Sequence, residues 1–75
     1  MATLPTLSGR EVVKAFAQVG WQLVRQRGSH MVPVKEGHIA TLPVPDHREV
    51  AKGTLRSLIR FSSLTAEEFA ALVGK

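Results

Sequence analysis

Apolar residues recur at two different spacings along this chain, and the change of spacing divides it into segments. Near the N-terminus Val12, Val13, Ala15, Phe16 and Val19 fall on one arc of a helical projection, with Arg10, Glu11, Lys14 and Gln18 on the other. Ser8 and Glu11 have the spacing of a capping box, and Leu7 with Val12 that of a hydrophobic staple, so a first helix is predicted to begin at Gly9. Gly20 is the predicted end, because glycine adopts the left-handed conformation that closes many helices. Residues 1 to 6 read as a loosely held tail.

After Gly20 the pattern shortens to β-rich runs: Trp21 to Arg27, His30 to Lys35 and Ile39 to Val44, separated by Gly28-Ser29 and Glu36-Gly37-His38. They predict a three-stranded antiparallel meander. With Gly28-Ser29 as a two-residue turn, Arg27 falls opposite His30, Arg25 opposite Val32 and Leu23 opposite Val34. That register puts Trp21, Leu23, Val32 and Val34 in a helix-covered core, with Arg25, Arg27 and His30 at its polar end. Pro33 conflicts with a regular middle strand because it has no N–H to donate, so a bulge or break is expected there. Pro43 and Pro45 suit an edge strand turning toward the next helix.

Helical spacing returns from about Lys52 to Phe61. Leu55, Leu58, Ile59 and Phe61 occupy one side, and Lys52, Arg56 and Arg60 repeat every fourth residue as a basic stripe on another. Thr65 and Glu68 form a second capping box, with Leu64 and Phe69 as its staple, which predicts a last helix from Ala66 to about Val73. The order helix, three strands, helix and short terminal helix is an α+β sandwich of two layers, expected to span residues 1–75 as a single domain.

Composition narrows the function classes. Seventy-five residues offer one binding surface rather than separate substrate and cofactor domains, and no cofactor is expected. Ten Lys and Arg stand against six Asp and Glu, a balance that favours either a polyanion or an acidic protein as partner. The absence of cysteine excludes disulfides, thiolate metal sites and cysteine nucleophiles, and suits a reducing cytoplasm. Apolar runs are too short for a membrane span, and the N-terminus lacks the pattern of a secretory signal.

The chemistry-bearing segment is Arg25-Gln26-Arg27-Gly28-Ser29-His30, which delivers an imidazole into a cluster of positive charge. RNA carries its own nucleophile, the 2′-hydroxyl. Cleaving it requires a base for that proton, an acid for the leaving 5′-oxygen, and cations for the charge that builds on phosphorus. Histidine moves protons near neutral pH, and positioned cations stabilise the developing charge. Arg25, Arg27, Lys52 and Arg56 are the candidate cations, and the Gly28-Ser29 amides are a candidate backbone nest for phosphate, although the same dipeptide is most often only a turn.

From the residues alone, His30 reads equally well as a solvated turn histidine. His47 fits a loop-orienting role better than a catalytic one, and His38 sits in a turn with no role assigned. No histidine pair has the one-face spacing of helical metal ligands, so no metal site is expected. Trp21, directly after Gly20, reads as core rather than as a base-stacking platform. The stripe Lys52, Arg56, Arg60 has a solvated helix face as its plain alternative.

Together Ser8-Gly9-Arg10-Glu11, Gly20-Trp21, Arg25-Gln26-Arg27-Gly28-Ser29-His30, Pro45-Asp46-His47 and Lys52-Gly53-Thr54-Leu55-Arg56-Ser57-Leu58-Ile59 resemble the HicA-type toxins of bacterial toxin-antitoxin modules. The resemblance covers roughly residues 7 to 70. It implies a double-stranded-RNA-binding-domain-like fold, endoribonuclease activity on mRNA, and neutralisation by a HicB-type antitoxin. It places the catalytic histidine at His30, with Met31-Val32-Pro33-Val34 departing from the usual unbroken strand that follows. A non-catalytic RNA-binding module is the alternative, since the same fold and charge would also bind RNA by shape and backbone contacts. A protein-interaction domain with an acidic partner is a third. His30 discriminates: a pure binder has no need of an imidazole at that turn.

Overall fold

The computed structural model describes residues 4–39 and 41–74. Helix α1 spans Gly9–Ala17, strand β1 Gln22–Arg27, β2 His30–Val34, β3 Val44–Pro45, helix α2 Lys52–Phe61 and α3 Ala66–Val73. The strands form one antiparallel sheet in the order β1-β2-β3. This is the α+β arrangement of the double-stranded-RNA-binding type: helix, three-stranded sheet, then two helices.

Both helices with capping boxes start where their caps direct. The Ser8 hydroxyl accepts from the Glu11 N–H while Glu11 Oε1 accepts from the Ser8 N–H, and Thr65 and Glu68 repeat the exchange at α3. The first helix ends at Ala17, three residues before the predicted stop. Gly20 instead ends the turn that follows, with φ of +99°, and delivers the chain to Trp21. α2 matches its predicted bounds.

The core gathers Val12, Ala15 and Phe16 of α1, Leu55, Leu58 and Ile59 of α2, Phe69 of α3, and Met31 and Val44 of the sheet, with Trp21 and Leu42 fully buried. Phe16 and Phe69 meet with ring centroids 5.0 Å apart, joining α1 to α3. Trp21 is core, as its position suggested, and the half-buried His38 ring lies against it at 4.9 Å. Phe61, expected on the buried side of α2, is exposed.

The tail is more firmly held than its sequence suggested. Leu4 is buried and its carbonyl accepts from Lys52 Nζ at 2.5 Å; just past the tail the staple residue Leu7 is buried too, and its carbonyl accepts from the Val50 N–H at 2.7 Å. Residues 1–3 lie outside the described residues.

The sheet departs from the regular meander in two places. The register Arg27↔His30, Gln26↔Met31, Arg25↔Val32 shifts between Arg25 and Leu23, so that Leu23 pairs with Pro33 and Gln22 with Val34. Val24 is the extra residue of this bulge, opposite the proline that cannot complete a regular ladder. The third strand is only Val44–Pro45, not Ile39 to Val44: Pro43 has no N–H to offer, Ile39 is fully exposed, and Ala40 lies outside the described residues.

The face assignment is also corrected. Met31 and Pro33 are the buried residues of β2, so they face the helices, whereas His30, Val32 and Val34 alternate to the other side. Leu23 is half exposed rather than core. The cause is parity: a one-residue difference in which face is covered exchanges every side chain of a strand. Arg25, Arg27 and His30 therefore stand on the open face of the sheet, not at the end of a covered one.

Candidate functional site

The open face is organised by the hairpin of β1 and β2. Gly28 has φ of +55° while Ser29 does not enter the positive region, the pattern of a two-residue type II′ turn, whose twist suits the flanking strands. A Cβ on Gly28 would meet nothing, so the glycine is required by backbone conformation rather than by space. This turn sets His30 as the first residue of β2.

A row of paired residues crosses the sheet from Arg27 through His30, both exposed on the open face, to Pro45, which is buried. Directly paired side chains in an antiparallel ladder have Cβ atoms about 5 Å apart, and diagonal neighbours about 7–8 Å, within reach of a long side chain. Arg27 is thus the direct cross-strand neighbour of His30, and Arg25, paired with Val32, is its diagonal neighbour. All three side chains are exposed. Two guanidiniums beside one imidazole, open to solvent, form a surface that can hold a phosphodiester and move a proton next to it.

The other predicted cations lie elsewhere. Lys52, Arg56 and Arg60 run along exposed positions of α2, whose apolar side packs into the core beside α3. Lys52 gives one of its donors to the Leu4 carbonyl. Arg56 and Arg60 border a groove of about 340 Å³ floored by Leu4, Ile59 and Leu64. The fold therefore gathers Arg25, Arg27, Gly28, Ser29 and His30 on the hairpin and assigns Lys52 and Arg56 to a second basic patch. His47 is exposed in the loop before α2, and its backbone carbonyl accepts from the Gly9 N–H at 2.9 Å.

Sequence reasoning passed over the residues around the hairpin. Asp46 contacts it through its backbone N–H and its carboxylate, and Gln26 and Arg10 meet that carboxylate. Gly9 allows this approach: a Cβ there would lie 2.0 Å from the Pro45 carbonyl oxygen and 3.0 Å from Met31 Cε, so α1 begins in direct contact with β3. The Pro45-Asp46 pair was the available signal, since proline followed by aspartate commonly marks a turn in which the carboxylate accepts local hydrogen bonds. Among the described residues no group of three or more His, Cys, Asp or Glu is placed to hold a metal ion, and no helix is long and apolar enough to cross a membrane.

A helix-backed three-stranded sheet with a histidine and two arginines on its open face defines a small α+β domain of the double-stranded-RNA-binding type. Compared with known families, the chain matches the model described as HicA toxin of bacterial toxin-antitoxin over residues 9–62, and it belongs to that family. It is the toxin of a toxin-antitoxin system, and membership implies a HicB-type antitoxin as partner. No curated protein matches the chain. The matched span runs from the first residue of α1 to the cap of α2 and includes the whole hairpin.

Proposed function

We propose that this toxin is a metal-independent endoribonuclease that cleaves mRNA, with His30 as its proton-transfer residue. The observation that carries the reading is the row on the open face, where His30 stands beside Arg27 and diagonal to Arg25 at the end of a tight hairpin. In the proposed reaction the 2′-oxygen forms a bond to phosphorus as its proton passes to the His30 imidazole. The bond from phosphorus to the 5′-oxygen breaks, and that oxygen takes a proton from the imidazolium or from water. The products are a 2′,3′-cyclic phosphate and a 5′-hydroxyl. Arg25 and Arg27 bind the phosphate and stabilise its developing charge, a contribution of about a hundredfold or more for a well-placed donor. Gly28 and Ser29 supply backbone contacts at the turn, while Lys52 and Arg56 hold phosphates farther along the strand.

The decisive experiment is cleavage of single-stranded RNA by purified His30→Ala protein. Activity should be lost while the circular dichroism spectrum and melting temperature stay those of the wild type, because the side chain is exposed and makes no core contact. Equal cleavage by the folded variant would falsify the assignment. RNA binding that persists with no cleavage by the wild type would favour the non-catalytic module. Cleavage should continue in EDTA; arrest by the chelator with recovery in magnesium rules out the metal-independent route.

A HicB-type antitoxin would silence such an enzyme by covering His30, presenting Asp and Glu to Arg25 and Arg27. Charge complementarity of this kind accelerates association and excludes RNA from the same surface. Co-expression should give an inactive complex, and Arg27→Glu should weaken it. A complex that forms and still cleaves RNA excludes masking.

A further inference from the structure

We infer that Asp46 is a positioning residue for His30, latching the hairpin turn through both of its carbonyl groups. The inference rests on the proposal that His30 transfers the proton. Asp46 follows Pro45, the cross-strand neighbour of His30, and its backbone N–H donates to the Ser29 carbonyl at 2.6 Å. Its carboxylate acts through Gln26: Nε2 of Gln26 donates to Asp46 Oδ2 at 3.2 Å and to the Gly28 carbonyl at 3.2 Å. The two carbonyls of the two-residue loop are thereby both engaged, one directly and one through a glutamine shared with the same aspartate.

The latch has a fixed base. Oδ1 of Asp46 lies 3.5 Å from Arg10 Nε in the first turn of α1, and the Gly9 N–H donates to the His47 carbonyl on the other side of Asp46. The absence of a side chain at Gly9 brings this helix end against Pro45. Asp46 therefore connects the first turn of α1 to the loop that immediately precedes His30. A two-residue loop at the tip of a hairpin otherwise has only its own ladder to restrain it, and displacement of a reacting group by about 1 Å costs as much as a hundredfold in rate. Gln26 lies on the opposite face of β1 from Arg25 and Arg27, so the latch restrains the turn from behind and leaves the open face free for RNA.

Asp46→Ala should lower kcat about tenfold to a hundredfold while KM for RNA stays within about twofold, because Arg25 and Arg27, the side chains that bind phosphate, keep their places on the ladder. Asp46→Asn should restore most of the rate, since its amide oxygen can still accept from Gln26. Gln26→Ala should reproduce part of the loss and add little to Asp46→Ala, as members of one hydrogen-bonded unit do not act additively. A second readout is independent of catalysis: amide hydrogen exchange of Ser29, His30 and Met31 should quicken in Asp46→Ala, with α2 and α3 unchanged.

Wild-type kcat together with wild-type exchange in Asp46→Ala, which keeps the main-chain N–H to Ser29 and removes the carboxylate, overturns Asp46 as a positioning side chain. So does a rise in KM at constant kcat, which would make the Arg10-Asp46 pair part of RNA binding. Should Asp46→Ala fail to fold, Gln26→Ala carries the same two measurements. If His30→Ala cleaves normally, the proton-transfer reading fails by itself, and the exchange data still report whether Asp46 holds the turn.

Discussion

The hairpin face and the outer face of α2 each carry a line of basic residues, yet the fold treats them differently. Arg25, Arg27 and His30 are brought side by side by cross-strand register, on a face that no helix covers. Lys52, Arg56 and Arg60 are aligned by helical periodicity alone, and part of that line is engaged in structure: Lys52 fastens Leu4, while Arg56 and Arg60 edge an apolar groove. Equal charge does not make equal sites. A stripe on a helix follows from spacing within one segment and needs no partner, whereas a row across a sheet exists only if two strands meet in one register.

The comparison breaks first at the hairpin. Arg25→Glu with Arg27→Glu should reduce kcat/KM on RNA by about a hundredfold or more, against about tenfold or less for Arg56→Glu with Arg60→Glu. Comparable losses from the two pairs, measured at one salt concentration, would place the reacting phosphate between the patches instead of on the hairpin.

A smaller effect is expected where α1 meets β3. Gly9→Ala places a methyl group against the Pro45 carbonyl, which is backbone and cannot swing aside, so urea unfolding should show a loss of about 1–3 kcal/mol. Cleavage at permissive temperature should fall too, because the strand that leads into Asp46 must shift. Wild-type stability in this variant would mean that the close approach is dispensable.

The distal patch should act through binding alone. Arg56→Ala is expected to raise KM modestly with kcat unchanged, and to reduce the salt dependence of RNA affinity by about 0.7 in log–log slope, one phosphate on a single strand. An unchanged slope removes Arg56 from the RNA path and leaves it as a groove residue.

The smallest effect concerns the cap of α1, which lies next to the hairpin side of the molecule. The Glu11 carboxyl is held below its ordinary value, first by the Ser8 backbone N–H and then by the Ser8 hydroxyl. A carboxylate favoured in the folded state stabilises above its unfolded range, and the contribution disappears as pH falls through the folded value. The melting-temperature difference between wild type and Glu11→Gln should therefore be present at neutral pH and vanish in acid. Ser8→Ala should cost about 1 kcal/mol at neutral pH, the usual cost of losing a cap. A difference for Glu11→Gln that grows in acid would contradict this account.

Helix positions were legible because their determinants are local. Ser8 with Glu11, and Thr65 with Glu68, fix their own helix starts through contacts three residues apart, and the apolar arcs of α1 and α2 mark their buried sides. The Gly28-Ser29 turn and the pairing of Arg27 with His30 were legible for the same reason, since a two-residue loop dictates the register beside it. Further from the turn this failed. Pro33 signalled an irregularity but not that Val24 would absorb it, and beyond the bulge every pairing moved by one.

The sequence by itself thus determined the order of elements, the capped helices, the hairpin and a basic segment ending in His30, because each depends on residues within a few positions of one another. Only the tertiary structure decided which face of the sheet the helices cover, where β3 begins, and that Asp46 and Gln26 restrain the turn. Those outcomes depend on packing: Met31 and Pro33 are buried against the helices, which leaves His30 on the open side, and Gly9 lets α1 approach β3. Alternation along β2 is nearly as apolar on one face as on the other, with Met31 and Pro33 against Val32 and Val34, so the choice of face required the partner surface that folding provides.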